Sequence, residues 1–253
     1  MKVLLSPAKS IQENAGKLSW SAAPKFKKEA AQLVKSLKKM KSTDLQELMD
    51  ISADLAELNV SRFKNWRKVD VNDGTFIAAA LAFTGEVYRG LQFSSLTKEQ
   101  QLKADEKVRI LSGLYGVLKP SDLIFPYRLE MGTSFSPLEN QRNLYQFWDD
   151  KVTKAILKET KEDEVFVNLA SNEYFKVIQT KLIKNTIITP VFKEFKNGKF
   201  SIVMMYAKHA RGAMARYLIE NELSNIEELK LYNVDGYSYD ENLSKGHEWV
   251  FVR

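Results

Sequence analysis

A chain of 253 residues with no cysteine and two histidines must do any chemistry with hydroxyls, amines, guanidinium groups and carboxylates. Lacking cysteine, it has no disulfide, thiolate nucleophile, zinc finger or iron–sulfur cluster. Ser6-Pro7-Ala8-Lys9 is formally S-x-x-K, a nucleophile signature that needs its Ser at a helix N-terminus with Lys one turn later. Here it trails a short apolar run at the start of the chain, and no K-T-G or S-D-N element follows. The hydrolase reading is therefore excluded, while Ser6 and Lys9 remain candidates for lining a site at a strand end. His209 and His247 lie far apart, with no H-x-x-x-H or D-x-D-x-D spacing to gather a metal. Walker and G-x-G-x-x-G loops are absent too. No catalytic residue, metal ligand or cofactor is expected.

The cations offer a different chemistry, the gripping of phosphate. Tyr206–Tyr217 reads Y-A-K-H-A-R-G-A-M-A-R-Y. On a helical projection with Lys208 at zero, Arg211 falls at about −60° and Arg216 at about +80°, with Gly212 and Ala215 between them. Cations at the edges of a small-residue strip would let a phosphate backbone approach. The same strip would equally admit a second helix, with the arginines held in ion pairs. Asn168–Phe175 places Ser171 at a helix start after a strand, with Glu173 and Lys176 in the first turns. That is either ordinary capping or an anion position. Tyr127, Arg128 and Glu130 could bind a ligand or form an internal Arg–Glu pair.

Leu111–Gly132, L-S-G-L-Y-G-V-L-K-P-S-D-L-I-F-P-Y-R-L-E-M-G, concentrates chain-bending residues. Helical periodicity runs into it through Leu102, Val108, Ile110 and Leu111. The step from Gly113 to Gly116 then turns the backbone. Amides at such a turn are natural phosphate ligands, although a rigid structural turn fits the residues as well.

Charge is unevenly spread. The net charge of +6 divides into +6 over residues 1–70, −2 over 71–170, +7 over 171–217 and −5 over 218–253. Two basic blocks meeting in space would concentrate polyanions. With 44% hydrophobic and 28% charged residues the chain is an ordinary globular one. It shows no signal peptide and no long apolar span, so a cytoplasmic location is expected.

The elements that must position these groups follow from periodicity. Lys2–Leu5 reads as a buried strand stopped by Pro7. Helical patterns run from Pro24 to Met40, from Thr43 as N-cap through Leu58 to Trp66, over Ile77–Phe83 and over Asn140–Lys158. The last third is strand-rich: Glu164–Leu169, then Thr186–Phe195 and Lys199–Tyr206 flanking the hairpin signal Asn197-Gly198, then strands near Leu231 and Glu248–Val252. A helix of about Ala207–Glu222 and a short one near Ile226 interrupt them. No repeat or linker divides the chain. The expectation is one α+β domain over 1–253, helix-rich early, with a mainly antiparallel sheet in the C-terminal third.

The segments L-L-S-P-A-K-S (Leu4–Ser10), R-F-K-N-W (Arg62–Trp66), A-F-T-G-E-V-Y-R-G-L (Ala82–Leu91), the Leu111–Gly132 corner, N-L-Y-Q-F-W (Asn143–Trp148), N-L-A-S-N-E-Y-F (Asn168–Phe175), N-G-K-F (Asn197–Phe200) and Tyr206–Glu222 occur in an order and spacing that resemble the YaaA-like peroxide-stress family of bacteria. The resemblance runs nearly end to end. It implies a cytoplasmic DNA-binding protein that limits oxidative damage when peroxide and free iron rise. It also implies a positively charged cleft and a helix-hairpin-helix-like element, here the helix ending near Leu111 with the Gly113–Gly116 turn. The usual turn of that motif is G-h-G, whereas this one is G-L-Y-G, and Pro120 restricts the second helix. DNA, double-stranded or distorted, is thus the expected partner of a monomer. The expected contacts are Lys9, Arg89, Lys119, Arg128, Lys176, Lys208, Arg211 and Arg216, with Gly113 and Gly116 amides and Tyr115 stacking on a base. The rival class is an enzyme acting on a nucleotide or nucleic acid, built from Ser6, Lys9, Glu130, Asn172, Glu173, Lys176 and Lys208. Convergence of these residues in one cleft, with carboxylates beside lysines, would favour it.

Overall fold

The computed structural model describes residues 1–253. Its frame is an eight-stranded sheet. The strands are β1 (Lys2–Leu5), β2 (Val108–Ser112), β3 (Gly116–Leu118), β4 (Phe166–Leu169), β5 (Ile187–Lys196), β6 (Lys199–Ser201), β7 (Ser238–Lys245) and β8 (Glu248–Val252). They lie in the order β7-β8-β5-β4-β1-β2-β3, with β6 added to the far end of β5. The central pairs, β1 with β2, β1 with β4, β4 with β5 and β5 with β8, are all parallel. Antiparallel pairing is confined to the two ends and to the β5–β6 hairpin.

This corrects the expected mainly antiparallel sheet: the fold is α/β and the sheet is mostly parallel. The physical reason lies in the crossovers. Between β5 and β8 the chain runs through the helix Met204–Glu220, returns along β7, and lays β8 beside β5 in the same direction. β1, β2 and β4 are buried on both faces. Their sequences are therefore mostly apolar, with Lys2, Arg109, Ser112 and Asn168 buried among the apolar residues, and lack the polar-out face that marks a half-exposed strand.

The first N-terminal helix forms where expected, as Lys27–Leu37, and the pattern from Thr43 to Trp66 is helical but divided by the left-handed Asp50 (φ 50°) into Ser42–Met49 and Ala53–Asn65. The second starts earlier than Thr43, because the Asp44 carboxylate accepts from the Lys41 amide at 2.8 Å. Three local expectations change. Ile77–Phe83 is split between a two-residue strand and the short helix Ala79–Ala82. Asn140–Lys158 breaks into Leu144–Trp148 and Lys151–Leu157, because Asp149 takes a left-handed φ of 45°. The short helix expected near Ile226 forms as the 3-10 turn Ile226–Leu231, while the strand expected near Leu231 lies later, at Ser238–Lys245.

The Leu111–Gly132 corner brings the largest correction. The helix Lys98–Lys107 stops before Val108, and Val108–Leu118 is the β2–β3 hairpin, so no helix-hairpin-helix is built here. Gly113 faces the Leu129 carbonyl so closely that a Cβ would sit 2.3 Å from it. Gly116, at φ +68°, packs under Trp148 and Phe26. Tyr115 is fully buried, and its hydroxyl accepts from the Trp66 indole at 3.0 Å and from the Phe125 amide at 3.1 Å. Gly113, Tyr115 and Gly116 are architectural, and none of them reaches solvent to touch a nucleic acid.

Candidate functional site

The strand order reverses at β1: the chain goes from β1 to β2 on one side and returns to β4 on the other. Such a switch point leaves a crevice beyond the carboxyl ends of the two strands. A cavity of about 280 Å³ lies there. Ser6, the first residue past β1, accepts from the Ser171 amide at 2.9 Å and donates to the Ser171 hydroxyl at 3.3 Å. This pair ties the two strand ends together. Ser171 starts the short helix Asn172–Phe175, yet its hydroxyl turns to Ser6 rather than capping that helix. The buried Tyr88 closes the floor, donating to the Ser6 carbonyl at 3.1 Å. Burial holds the Tyr88 and Tyr174 phenols well above the usual tyrosine range, so both remain neutral donors.

Charged groups of both signs ring the opening. Lys9, on the loop after β1 and 62% exposed, pairs with Glu130 at 2.7 Å. Arg128 holds the other Glu130 oxygen at 3.0 Å from a partly buried position behind it. Glu173 accepts from the Gly132 amide at 2.9 Å. The roof is the helix Met204–Glu220, which contributes Lys208 and Arg211. Arg211 differs from the rest: burial alone perturbs its guanidinium, lowering its pKa, with no carboxylate placed to offset the cost. A partly buried guanidinium without an anionic partner, opening into a cavity, is a ready anion ligand.

The roof helix owes its position to its glycine. Gly212 presses on the helix Glu86–Leu91, where an added Cβ would lie 1.7 Å from the Val87 carbonyl oxygen. Reciprocally, a Cβ added at Gly90 of the lower helix would lie 2.2 Å from the His209 carbonyl oxygen. The small-residue strip therefore serves a close helix crossing, and phosphate does not approach along it. Arg216 follows the same logic. It donates to the carbonyls of Leu91 and Gln92 and to the Ser95 hydroxyl at 2.7 Å, and it pairs with Glu220 at 2.7 Å. Those contacts clamp the crossing.

The expected contact residues thus separate. Lys9, Lys208 and Arg211 line one cavity, and Arg128 stands behind it. Lys176 is exposed near the rim, its ammonium 4.9 Å over the Tyr145 ring, whose hydroxyl donates to the Glu173 carbonyl. Arg89 lies 73% exposed in an adjoining groove, paired with Glu86 at 2.6 Å. Lys119 is at the opposite end of the sheet, near the start of β1. There a second cavity of about 380 Å³ is lined by Lys25, Arg109 and Lys119. Its cations converge on Glu159, Arg109 at 2.6 Å, Lys25 at 3.6 Å and Lys119 at 3.8 Å, with Asp105 also in the lining, so that cavity holds counter-charges of its own. The expected basic cleft is corrected accordingly: the cleft at the switch point is mixed in charge, because Glu86, Glu130 and Glu173 line it beside the cations.

From the rival set, Ser6, Lys9, Glu130, Glu173 and Lys208 converge, while Asn172 and Lys176 stay outside the lining. Sequence reasoning missed Thr84, Gly85, Glu86 and Tyr88 as parts of the site. The signal available was T-G-E, where Gly85 takes φ +111° and starts the helix that carries Tyr88.

Known proteins resemble this chain along its length. The family profile described as "Peroxide stress protein YaaA" matches residues 1–243. A "UPF0246 protein" of Flavobacterium johnsoniae is 46% identical over 254 residues, covering 100% of both chains. A UPF0246 protein of Shewanella woodyi is 44% identical over 256 residues, covering 100% of this chain and 99% of its own. With a family match over nearly its whole length and full-length relatives at this identity, the chain belongs to the YaaA peroxide-stress protein family.

Proposed function

We propose that this chain acts in peroxide stress by binding DNA, seating one phosphate-bearing element in the switch-point cleft. The observation that carries this reading is Arg211, a desolvated guanidinium with no anionic partner, opening with Lys208 and Lys9 into one cavity. The cavity, about 280 Å³, is far too small for a duplex and near the lower bound of about 300 Å³ for small-ligand pockets. The site therefore suits a strand end, an extruded nucleotide or a distorted step, with Lys176 and Arg89 meeting flanking phosphates outside. Binding on this basis is indifferent to sequence and sensitive to DNA structure, since no helix is presented for major-groove readout. Protection follows if occupancy shields the bound site from iron-driven damage.

The experiment is a salt titration of duplex and mismatched-duplex binding. About five neutralised phosphates give a slope of log affinity on log salt of roughly −4 to −5, and the Lys208→Gln, Arg211→Gln double variant reduces its magnitude by about two. A flat salt response, or an unchanged slope in a folded double variant, refutes the reading.

A second reading, an enzyme acting on a nucleotide or nucleic acid, is favoured by one observation. Glu130 and Glu173 stand beside Lys9 and the serine pair in the same cavity. Incubating the protein with nucleotides and oligonucleotides and following product by chromatography tests it. Turnover abolished by Glu130→Gln supports the enzyme, and unchanged substrates exclude it.

A further inference from the structure

The β5–β6 hairpin projects its far end beyond the sheet, and its surface is unlike any other part of the molecule. Phe195 and Phe200 sit directly opposite each other in the ladder, their ring centroids 5.1 Å apart, and are 60% and 38% exposed. The next opposed pair is Lys196 with Lys199, two like charges facing across the ladder. Opposed like charges destabilise a hairpin, and exposed paired aromatics contribute little to a core. The tight Asn197-Gly198 turn, with φ of 53° and 76°, holds both pairs rigidly at the tip.

The chain carries no Asp or Glu between Glu194 and Glu220. Glu194 itself is occupied by Arg253 at 2.9 Å and by the Tyr237 hydroxyl. The patch continues through the exposed Met204 and Met205 into the first turn of the roof helix. At about 1.5 Å of rise per residue, Lys208 is only about 6 Å further along the axis, and Arg211 about 10 Å. The rings stand on one face of the hairpin and the lysines of the next rung on the other, at the turn, and no unpaired carboxylate lies on either; a strand passing round the tip would meet stackable rings and cations in turn. That surface leads directly to the cations of the cleft.

We propose that the hairpin tip is a stacking platform for single-stranded nucleic acid. Phe195 and Phe200 take unpaired bases on their faces, Lys196 and Lys199 hold the adjacent phosphates, and the strand is guided toward Lys208 and Arg211. Stacking of this kind tolerates any base, because every base has a π-face. The inference rests on nucleic acid being the ligand class proposed above, and it adds a second surface and a preference for unpaired strand.

The test is fluorescence anisotropy of a labelled oligo-dT strand, and of a labelled duplex, with full-length protein at several salt concentrations. Phe195→Ala with Phe200→Ala is expected to lower oligo-dT affinity at least about tenfold with the salt slope unchanged, since the rings contribute stacking and no charge. Lys196→Ala with Lys199→Ala is expected to reduce the magnitude of the slope by about 1.4, two single-strand phosphate contacts. All four side chains are exposed, so both variants keep the wild-type melting temperature. Oligo-dT affinity unchanged in the Phe variant, while Lys208→Gln with Arg211→Gln reduces the magnitude of the duplex salt slope by about two, overturns the hairpin inference and leaves the cleft reading standing. A wild-type protein that binds neither strand nor duplex at low salt removes both. If the Phe variant instead converts a dimer to a monomer at equal oligo-dT affinity, the patch is a contact between copies of this chain and the inference fails.

Discussion

Gly212→Ala probes the crossing on which the whole roof of the cleft depends. The new Cβ would lie 1.7 Å from the Val87 carbonyl oxygen, 2.7 Å from its carbon and 2.8 Å from the Leu91 nitrogen, where ordinary contact begins at 3.4 Å. All three are backbone atoms of a helix, so no side chain can rotate away and the two helices must part. Overpacking of this kind costs about 1–3 kcal/mol, and the rigidity of both partners puts this case at the upper end. Alanine returns about 1 kcal/mol through its better helix propensity, leaving a net loss of about 2 kcal/mol. For a chain of this size each kcal/mol lowers the melting temperature by about 2–4 °C, so a fall of about 4–8 °C is expected by thermal denaturation. Arg211 precedes the contact directly, so duplex affinity measured below the transition should fall as well. Gly74→Ala is the control: it meets nothing within 4 Å and has an ordinary φ, so its melting temperature should hold or rise slightly. A Gly212→Ala protein as stable as wild type would refute the claim that this glycine sets the helix separation.

Tyr115→Phe removes an oxygen that accepts from two buried donors, Trp66 and Phe125, and should cost about 2–4 kcal/mol in urea denaturation with no change in DNA affinity per folded molecule; unchanged stability would contradict the architectural role of that hydroxyl. Gly116→Val should likewise lower stability, by about 1–3 kcal/mol through left-handed backbone strain and collision with Trp148, and leave binding alone. Asp122 has its carboxyl pushed up to about 7, first by burial, against the Lys119 amide that donates to it. Because the folded form holds its proton where the unfolded chain has lost it, this group's contribution worsens as pH rises from about 4 to about 7 and then levels off, by at most about 4 kcal/mol. Asp122→Asn should therefore flatten the loss of urea stability between pH 5 and pH 8 at about the cited linkage slope, and parallel pH profiles for the two proteins would contradict it.

Local chemistry was legible wherever a few adjacent residues decide the structure. Asn197-Gly198 forms its hairpin because two consecutive positive φ angles suit those residues and few others. The run Lys2–Leu5 ended by Pro7 is a strand, and the lysine-bearing amphipathic segments before Trp66 are helices. Ser6, Lys9, Glu130, Glu173 and Lys208 could be singled out by their places at strand and turn ends, and they do meet. The error at Val108–Gly116 came from an apolar run buried on both faces, which carries neither helical nor strand alternation. Its glycines mark close packing, a role that depends on partners remote in the chain.

The sequence by itself determined the inventory of chemistry, cations, hydroxyls and carboxylates without a thiol, together with the turns and most element types, because those depend on side-chain type and on neighbours a few residues away. Only the tertiary structure decided strand direction, since a crossover chooses it over tens of residues. It also decided which cations remain free. Arg216 is consumed by the carbonyls at the end of a neighbouring helix and Lys119 by Glu159, whereas Arg211 is left without an anion. Charge along a chain says nothing of pairing across it, because the Coulomb energy that neutralises or spares a group depends on distances that only the folded sheet and its crossing helices set.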